Sequence, residues 1–378
     1  MKKCLVIPDS FKGTISSTEI CSIVSEEVLK MYPECNVVSL PIADGGVGTV
    51  NCIRNALKWE LVEVDTVGPF NDPIKANYVV NKIEQTAVIE TAQAVGMNLA
   101  EGRLNPSIAS TYGVGLMIKD AISKGFKNIV VAVGGSCSTD GGAGCAAALG
   151  VEFLDIEGNP FIPVGATLNS ISKINADKCH ELIGNCKISA MCDMFCLMHG
   201  PSGTACIYSP QKGADPQMVA MLDKNLEYLD LKFKSELGKN VANIDGSGAC
   251  GGLGATILAI FNGRIYSGIN HMLDIVNFDE ISSDTDLIIT GEGCLDELSL
   301  KGKTVYGIAQ RVRKLGLNIP VIAIVGQNKL DFTTTSSVGI SSVVPVTPTY
   351  MRYEEARNHV QNNLRNAVIK MLVSRSLY

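Results

Sequence analysis

One construction recurs along this chain: an apolar segment of strand type runs into a loop carrying glycine and a carboxylate, and a helix-type segment follows. Cys4-Leu5-Val6-Ile7 empties into Pro8-Asp9-Ser10-Phe11-Lys12-Gly13, after which Ser16 and Glu19 have the spacing of a capping box. Val37 to Ile42 leads into Ala43-Asp44-Gly45-Gly46-Val47-Gly48-Thr49, and Asp286 to Thr290 leads into Gly291-Glu292-Gly293. The richest copy follows Asn128 to Val133: Gly134-Gly135-Ser136-Cys137-Ser138-Thr139-Asp140-Gly141-Gly142-Ala143-Gly144. Strands and helices alternating in this way confine the chain to an α/β architecture built on buried parallel strands. In open α/β sheets ligands sit beyond the carboxyl ends of the strands, so these loops are expected to converge on one cleft.

The 134–144 loop has the make-up of an anion cradle. Glycines let backbone approach a ligand without Cβ interference, and the first amides of a helix present unpaired N–H groups and a positive dipole end. Phosphate or carboxylate is the natural occupant.

At 378 residues the chain exceeds the usual span of a single core, which predicts about two domains. The content of 46% hydrophobic residues with 37 glycines suits an enzyme whose helices pack on a sheet through small residues. Net charge is −6 with the signs interspersed, and no basic stripe argues for a nucleic-acid partner. Met1-Lys2-Lys3 is followed by too short an apolar run for a signal peptide, and no stretch has the length of a membrane span, so a cytoplasmic protein is expected. The 13 cysteines include no CxxC pair and read as reduced core residues. Cys192, Cys196 and His199 lack a fourth ligand for structural zinc.

Regular strand–helix alternation at both ends surrounds an irregular middle, which suggests a discontinuous outer domain with an inner one inserted. The turn Gly68-Pro69-Phe70-Asn71-Asp72-Pro73 is the candidate junction. The predicted boundaries are 1–72 with 285–378 for the outer domain and 73–284 for the insertion, with the active site between them. Two nucleotide motifs fail on context. Gly246-Ser247-Gly248-Ala249-Cys250-Gly251 matches GxGxxG but follows no convincing strand, and Gly302-Lys303-Thr304 ends like a Walker A loop whose first glycine is replaced by Glu297. Lys303 nonetheless stands where a helix start could meet a phosphate.

Taken in order, the loops resemble the bacterial glycerate kinase family of the two-domain type. The resemblance is carried by Ile7 to Gly13, Pro41 to Thr49, Gly134-Gly135-Ser136 with Thr139 to Gly144, Cys192-Asp193, Ser209 to Ala214, Gly251 to Gly254, Thr290 to Gly293 with Asp296, and Gly302-Lys303. It implies a Rossmann-like outer domain, ATP and Mg²⁺ as cofactors, and D-glycerate as substrate, phosphorylated at O2 to 2-phosphoglycerate or, alternatively, at O3. The family usually has Asn-Pro where this chain has Cys196-Leu197, and often Arg where Leu104 stands.

Phosphoryl transfer needs alignment and charge neutralisation. Asp193 is the expected base and Lys12 its cationic partner in catalysis. Asp44, Asp140, Glu292 and Asp296 compete for the metal. Asp9, Ser10, Gly45, Gly46, Gly134, Gly135, Ser136, Thr139, Gly141, Gly142, Gln211, Lys212, Gly291 and Lys303 are expected around substrate and phosphates. A hydroxy-acid dehydrogenase using NAD(P) and a non-catalytic metabolite sensor are the competing classes. Oligomeric state is not encoded in any of these features.

Overall fold

A computed structural model describes residues 1–193, 196–348, 351 and 353–376. Along the chain the strands are β1 Lys3–Pro8, β2 Asn36–Ser39, β3 Glu60–Val67, β4 Pro73–Asn81, β5 Thr86–Glu90, β6 Asn128–Ala132 and β7 Glu152–Leu154. They continue with β8 Pro160–Phe161, β9 Lys173–Asn175, β10 Lys187–Cys192, β11 Arg264–Ser267, β12 Leu287–Leu295, β13 Val321–Asn328 and β14 Ser342–Pro345. The chain divides into two compact units.

Unit 1 comprises residues 1–44, 51–58 and 267–378. Its sheet has the order β14-β13-β12-β1-β2, every pairing being parallel. Renumbered within the unit this is the doubly wound order 2-1-3-4-5, whose topological switch point lies between β1 and β12. Ligands of such sheets bind outside the carboxyl ends at that point. The β1 side chains Cys4 to Ile7 are fully buried, as a central parallel strand requires. The following helix Ser17–Met31 starts with the capping box expected from sequence: Ser16 Oγ accepts from Glu19 N at 3.2 Å, and Glu19 Oε2 accepts from Ser16 N at 3.0 Å. That helix packs its apolar stripe, including Ile20, Val24 and Val28, into a core shared with Leu364, Val368 and Leu372.

Unit 2 comprises residues 45–50 and 59–266. Its mixed sheet runs β11-β10-β6-β5-β4-β3, with β5, β6 and β10 parallel and β3 and β4 antiparallel. A smaller antiparallel sheet, β8-β7-β9, lies in the same unit. Its core joins Tyr78, Ile89, Met117, Val131, Leu226, Leu229, Phe233 and Leu253, all buried.

These boundaries differ from 1–72, 73–284 and 285–378. The turn from Gly68 to Pro73 is a hairpin connection: Gly68 N donates to Asp72 O at 2.8 Å, Asn71 takes φ +66°, and β3 pairs with β4 along its whole length. Residues 60–67 therefore belong with the insertion. Strand β12 also runs further than expected, through Gly291, Glu292 and Gly293, because β13 pairs with it as far as Leu295. Glycine is required there: a Cβ on Gly291 would stand 2.2 Å from Ile324 O.

Candidate active site

At the switch point of unit 1, Asp9 leaves the end of β1, Glu292 projects from the carboxyl half of β12, and Asp44 lies in the loop that follows β2. All three are buried. Asp9 is held by backbone, its N–H donating to Gly291 O at 2.9 Å while its Oδ1 accepts from Ser10 N at 2.6 Å. Asp44 Oδ1 and Glu292 Oε1 have no hydrogen-bond partner.

A buried carboxylate without full compensation resists ionisation. Burial, with the Asp44 charge next, pushes the Asp9 carboxyl up to about 8 against the opposing pull of Lys12 and the Ser10 amide. Burial pushes Glu292 up to about 7, opposed by the Ser299 hydroxyl and the Lys303 ammonium and reinforced by Asp44 and Asp296. The electrostatics therefore link Asp9, Ser10, Lys12, Asp44, Glu292, Asp296 and Lys303, which sequence places up to 294 positions apart (9 to 303).

Within that group the roles differ. Lys12 is exposed on the tight loop closed by the Phe11–Ile15 bridge. Asp296 makes a local turn, its Oδ1 accepting from Leu298 N at 3.0 Å and Ser299 N at 3.2 Å. Lys303 caps the helix Thr304–Lys314, and the first residue of that helix, Thr304, has a buried hydroxyl with no partner.

Among the described residues no three or more His, Cys, Asp or Glu side chains form a ready-made metal cage. Mg²⁺ does not need one, since it takes one or two carboxylates and fills its octahedron with water and phosphate oxygens. The unpartnered oxygens of Asp44 and Glu292 fit that role.

In unit 2 the glycine and hydroxyl loop is built against the protein itself. Gly134 N donates to Gly45 O at 3.0 Å, and a Cβ on Gly134 would stand 2.6 Å from Gly46 Cα, so these glycines serve contact between two loops. Gly135 borders Val47, and Gly141 and Gly142 border Leu229 and Leu253.

The anion expected at the start of the helix Ala143–Ala148 turns out to be internal. Asp140 is fully buried, and its carboxylate accepts from Thr111 N at 2.7 Å, Thr111 Oγ1 at 2.8 Å, Gly142 N at 3.2 Å and Gly144 N at 3.3 Å. Burial raises its proton affinity while these donors lower it. Asp140 thus closes the loop within unit 2, whereas Asp44 and Glu292 belong to unit 1.

Lys212 is the ionic feature of this loop. It is buried, and Nζ donates to Ser138 O at 2.6 Å and Ser136 Oγ at 3.3 Å. Thr139 is buried with its hydroxyl 3.0 Å from Ser209 Oγ, whereas Gln211 is exposed. Asp193 stands half-buried just past the end of β10, and its charge helps raise the Tyr208 hydroxyl, which burial chiefly pushes up to about 12.

Sequence reasoning missed Glu90. It ends β5, is buried, and its two carboxylate oxygens accept from Gly48 N at 3.0 Å and Val50 N at 3.1 Å, fixing the 45–48 loop and the start of the helix Thr49–Leu57. The signal was present, a strand ending in a carboxylate, without the glycines that marked the other loops. The GxGxxG match at 246–251 has no strand before it; Cys250, Gly251 and Gly252 instead adopt consecutive left-handed conformations that break the helix Ala249–Ala259. No dinucleotide fingerprint is present there.

The chain resembles known enzymes over nearly its full length. It is 35% identical over 374 residues to a glycerate kinase of Halalkalibacterium halodurans, covering 99% of this chain and 98% of that one. It is 33% identical to the glycerate 2-kinase of Escherichia coli, covering 97% and 96%. A crystal structure from Salmonella typhimurium LT2, called "putative glycerate kinase 2", superposes with a TM-score of 0.85 at 29% identity, covering 100% of this chain and 98% of that one. A doubly wound α/β chain with these relatives is an enzyme of the kinase class, which excludes the dehydrogenase and sensor alternatives. It belongs to the glycerate kinase family, whose model matches residues 4–374. Among the described residues no helix is long and apolar enough to cross a membrane.

Proposed function

We propose that this enzyme transfers the terminal phosphoryl group of ATP to O2 of D-glycerate in the cytoplasm, releasing ADP and 2-phosphoglycerate. The observation that carries the nucleotide half is the buried acidic group at the switch point of unit 1, with one unpartnered oxygen on Asp44 and one on Glu292. Membership of the family supports glycerate as acceptor, and the name of the Escherichia coli relative supports O2.

Asp44 and Glu292 would hold Mg²⁺, leaving Asp296 to shape the turn beside them. When bound, that ion neutralises charge on the phosphate oxygens. Lys12 and Lys303 offer ammonium groups to the nucleotide phosphates, and the first amides of the helix Thr304–Lys314 add fixed dipoles. Asp193 takes the proton of the attacking hydroxyl. A base must lie within about 3 Å of the proton it removes, so a hydroxyl one carbon away is misaligned for in-line transfer and a single product isomer is expected.

Incubation with ATP, Mg²⁺ and D-glycerate, read by ³¹P NMR and by coupling to enolase, tests the assignment. Phosphoenolpyruvate should form without phosphoglycerate mutase. Dependence on the mutase would make the product 3-phosphoglycerate, and ATP consumption indifferent to glycerate would remove the substrate altogether.

A further inference from the structure

Lys212 is a charged group in the wrong place for stability alone. It is 4% exposed, and among the described residues no carboxylate lies within ion-pairing distance of its ammonium. Its two acceptors, Ser138 O and Ser136 Oγ, are neutral. The thiols around it are neutral as well, since burial pushes Cys137 up to about 12 and raises Cys250. Asp140, the carboxylate whose field reaches it, is already committed to Thr111, Gly142 and Gly144.

Burial accordingly lowers the proton affinity of Lys212. A buried cation without a counter-ion is costly unless an anion completes it. A second group in the same loop is also incomplete: Ser138, fully buried, has a hydroxyl with no partner. One ammonium and one hydroxyl suit a monoanion with two acceptor oxygens. A polyphosphate would need several cations.

We propose that Lys212 and the Ser138 hydroxyl anchor the carboxylate of the acid that is phosphorylated, an assignment that rests on the glycerate kinase activity above. Unit 2 then carries the acceptor's recognition element, and a polyol without a carboxylate is rejected because it leaves Lys212 uncompensated.

Three ligands test this on the full-length enzyme: D-glycerate and Mg²⁺–AMP-PNP in calorimetry, and glycerol against D-glycerate in turnover. Lys212→Met should lose about 100-fold in D-glycerate affinity and most of the preference for glycerate over glycerol, as removal of a charge-assisted pair does. Its affinity for Mg²⁺–AMP-PNP should stay within about 2-fold, since no nucleotide contact is removed. Ser138→Ala should weaken glycerate about 10-fold through loss of one hydrogen bond to a charged group.

A folded Lys212→Met enzyme that keeps its preference for glycerate overturns the assignment. Weakened AMP-PNP binding with glycerate binding intact does the same and makes this a phosphate site. Should Lys212→Met not fold, unchanged glycerate affinity in Ser138→Ala overturns it. A wild-type enzyme that ignores glycerate sinks the activity itself, whereas an active wild type with indifferent variants sinks only the anchor.

Discussion

Carboxylates of similar sequence context have been given different tasks by their surroundings. Asp140 faces four donors and serves the loop, while Asp44 and Glu292 keep an oxygen unpartnered. The strand-end rule located all of them from sequence, because a carboxylate beyond a buried strand is legible as a pattern. What separated them was not legible: the donors that capture Asp140 come partly from Thr111, 29 residues away on another element. Glu90 escaped for a related reason, its partners Gly48 and Val50 being about forty residues distant. Asp193 is the residue whose substitution is most direct. Asp193→Asn should lower kcat by about 10²- to 10⁴-fold, the range for loss of a positioned base, with Mg²⁺–AMP-PNP affinity retained. Turnover near that of the wild type would move the base elsewhere.

Elements were read well where periodicity and breakers agree. Strand β6 fills the expected run from Asn128 and ends at Ala132, one residue short of Val133, and the helix Ser17–Met31 begins at the expected Ser16 and Glu19 capping box. They were read poorly where a partner strand decides, as in β12, which β13 extends through the glycines, or where packing overrides propensity, as in the left-handed Cys250 to Gly252 turn pressed against Ser138 and Gly141. The 45–48 loop has no regular structure, and Glu90 holds both it, through Gly48 N, and the first turn of the helix Thr49–Leu57, through Val50 N. Glu90→Gln replaces one acceptor oxygen by an N–H group facing a donor, which should destabilise the protein by about 1–3 kcal/mol in urea unfolding. Unaltered stability would show that the loop is held by its glycine contacts alone.

For the whole molecule, the acidic group of unit 1 sets a dependence on pH. Asp9 and Glu292 have folded-state values of about 8 and about 7, above those of an unfolded chain. The folded protein therefore holds protons that the unfolded chain has released. Their contribution to stability is complete at low pH and is lost as pH rises through the folded values. In EDTA, Glu292→Gln, which cannot ionise, should gain in Tm relative to wild type between about pH 5.5 and about pH 8.5. A difference that shrinks over that range would contradict the burial of an uncompensated carboxyl. The two-unit division was visible as a change from regular to irregular alternation, but its edges were not, since a hairpin turn and a linker use the same residues.

The parallel pairing of β1 with both β2 and β12 has a consequence for how the protein is made. Cys4 lies in register with Leu287, so β1 waits for a neighbour synthesised some 280 residues later. Unit 2 emerges almost entirely from one continuous stretch and has its sheet complete when residue 267 appears. Until β12 follows, the β1 edge that it will cover stays open, the kind of edge that recruits other chains. A ribosome stalled between the two events would hold a finished unit 2 beside an unfinished sheet, and that nascent species is where this chain is most exposed to chaperones and to aggregation.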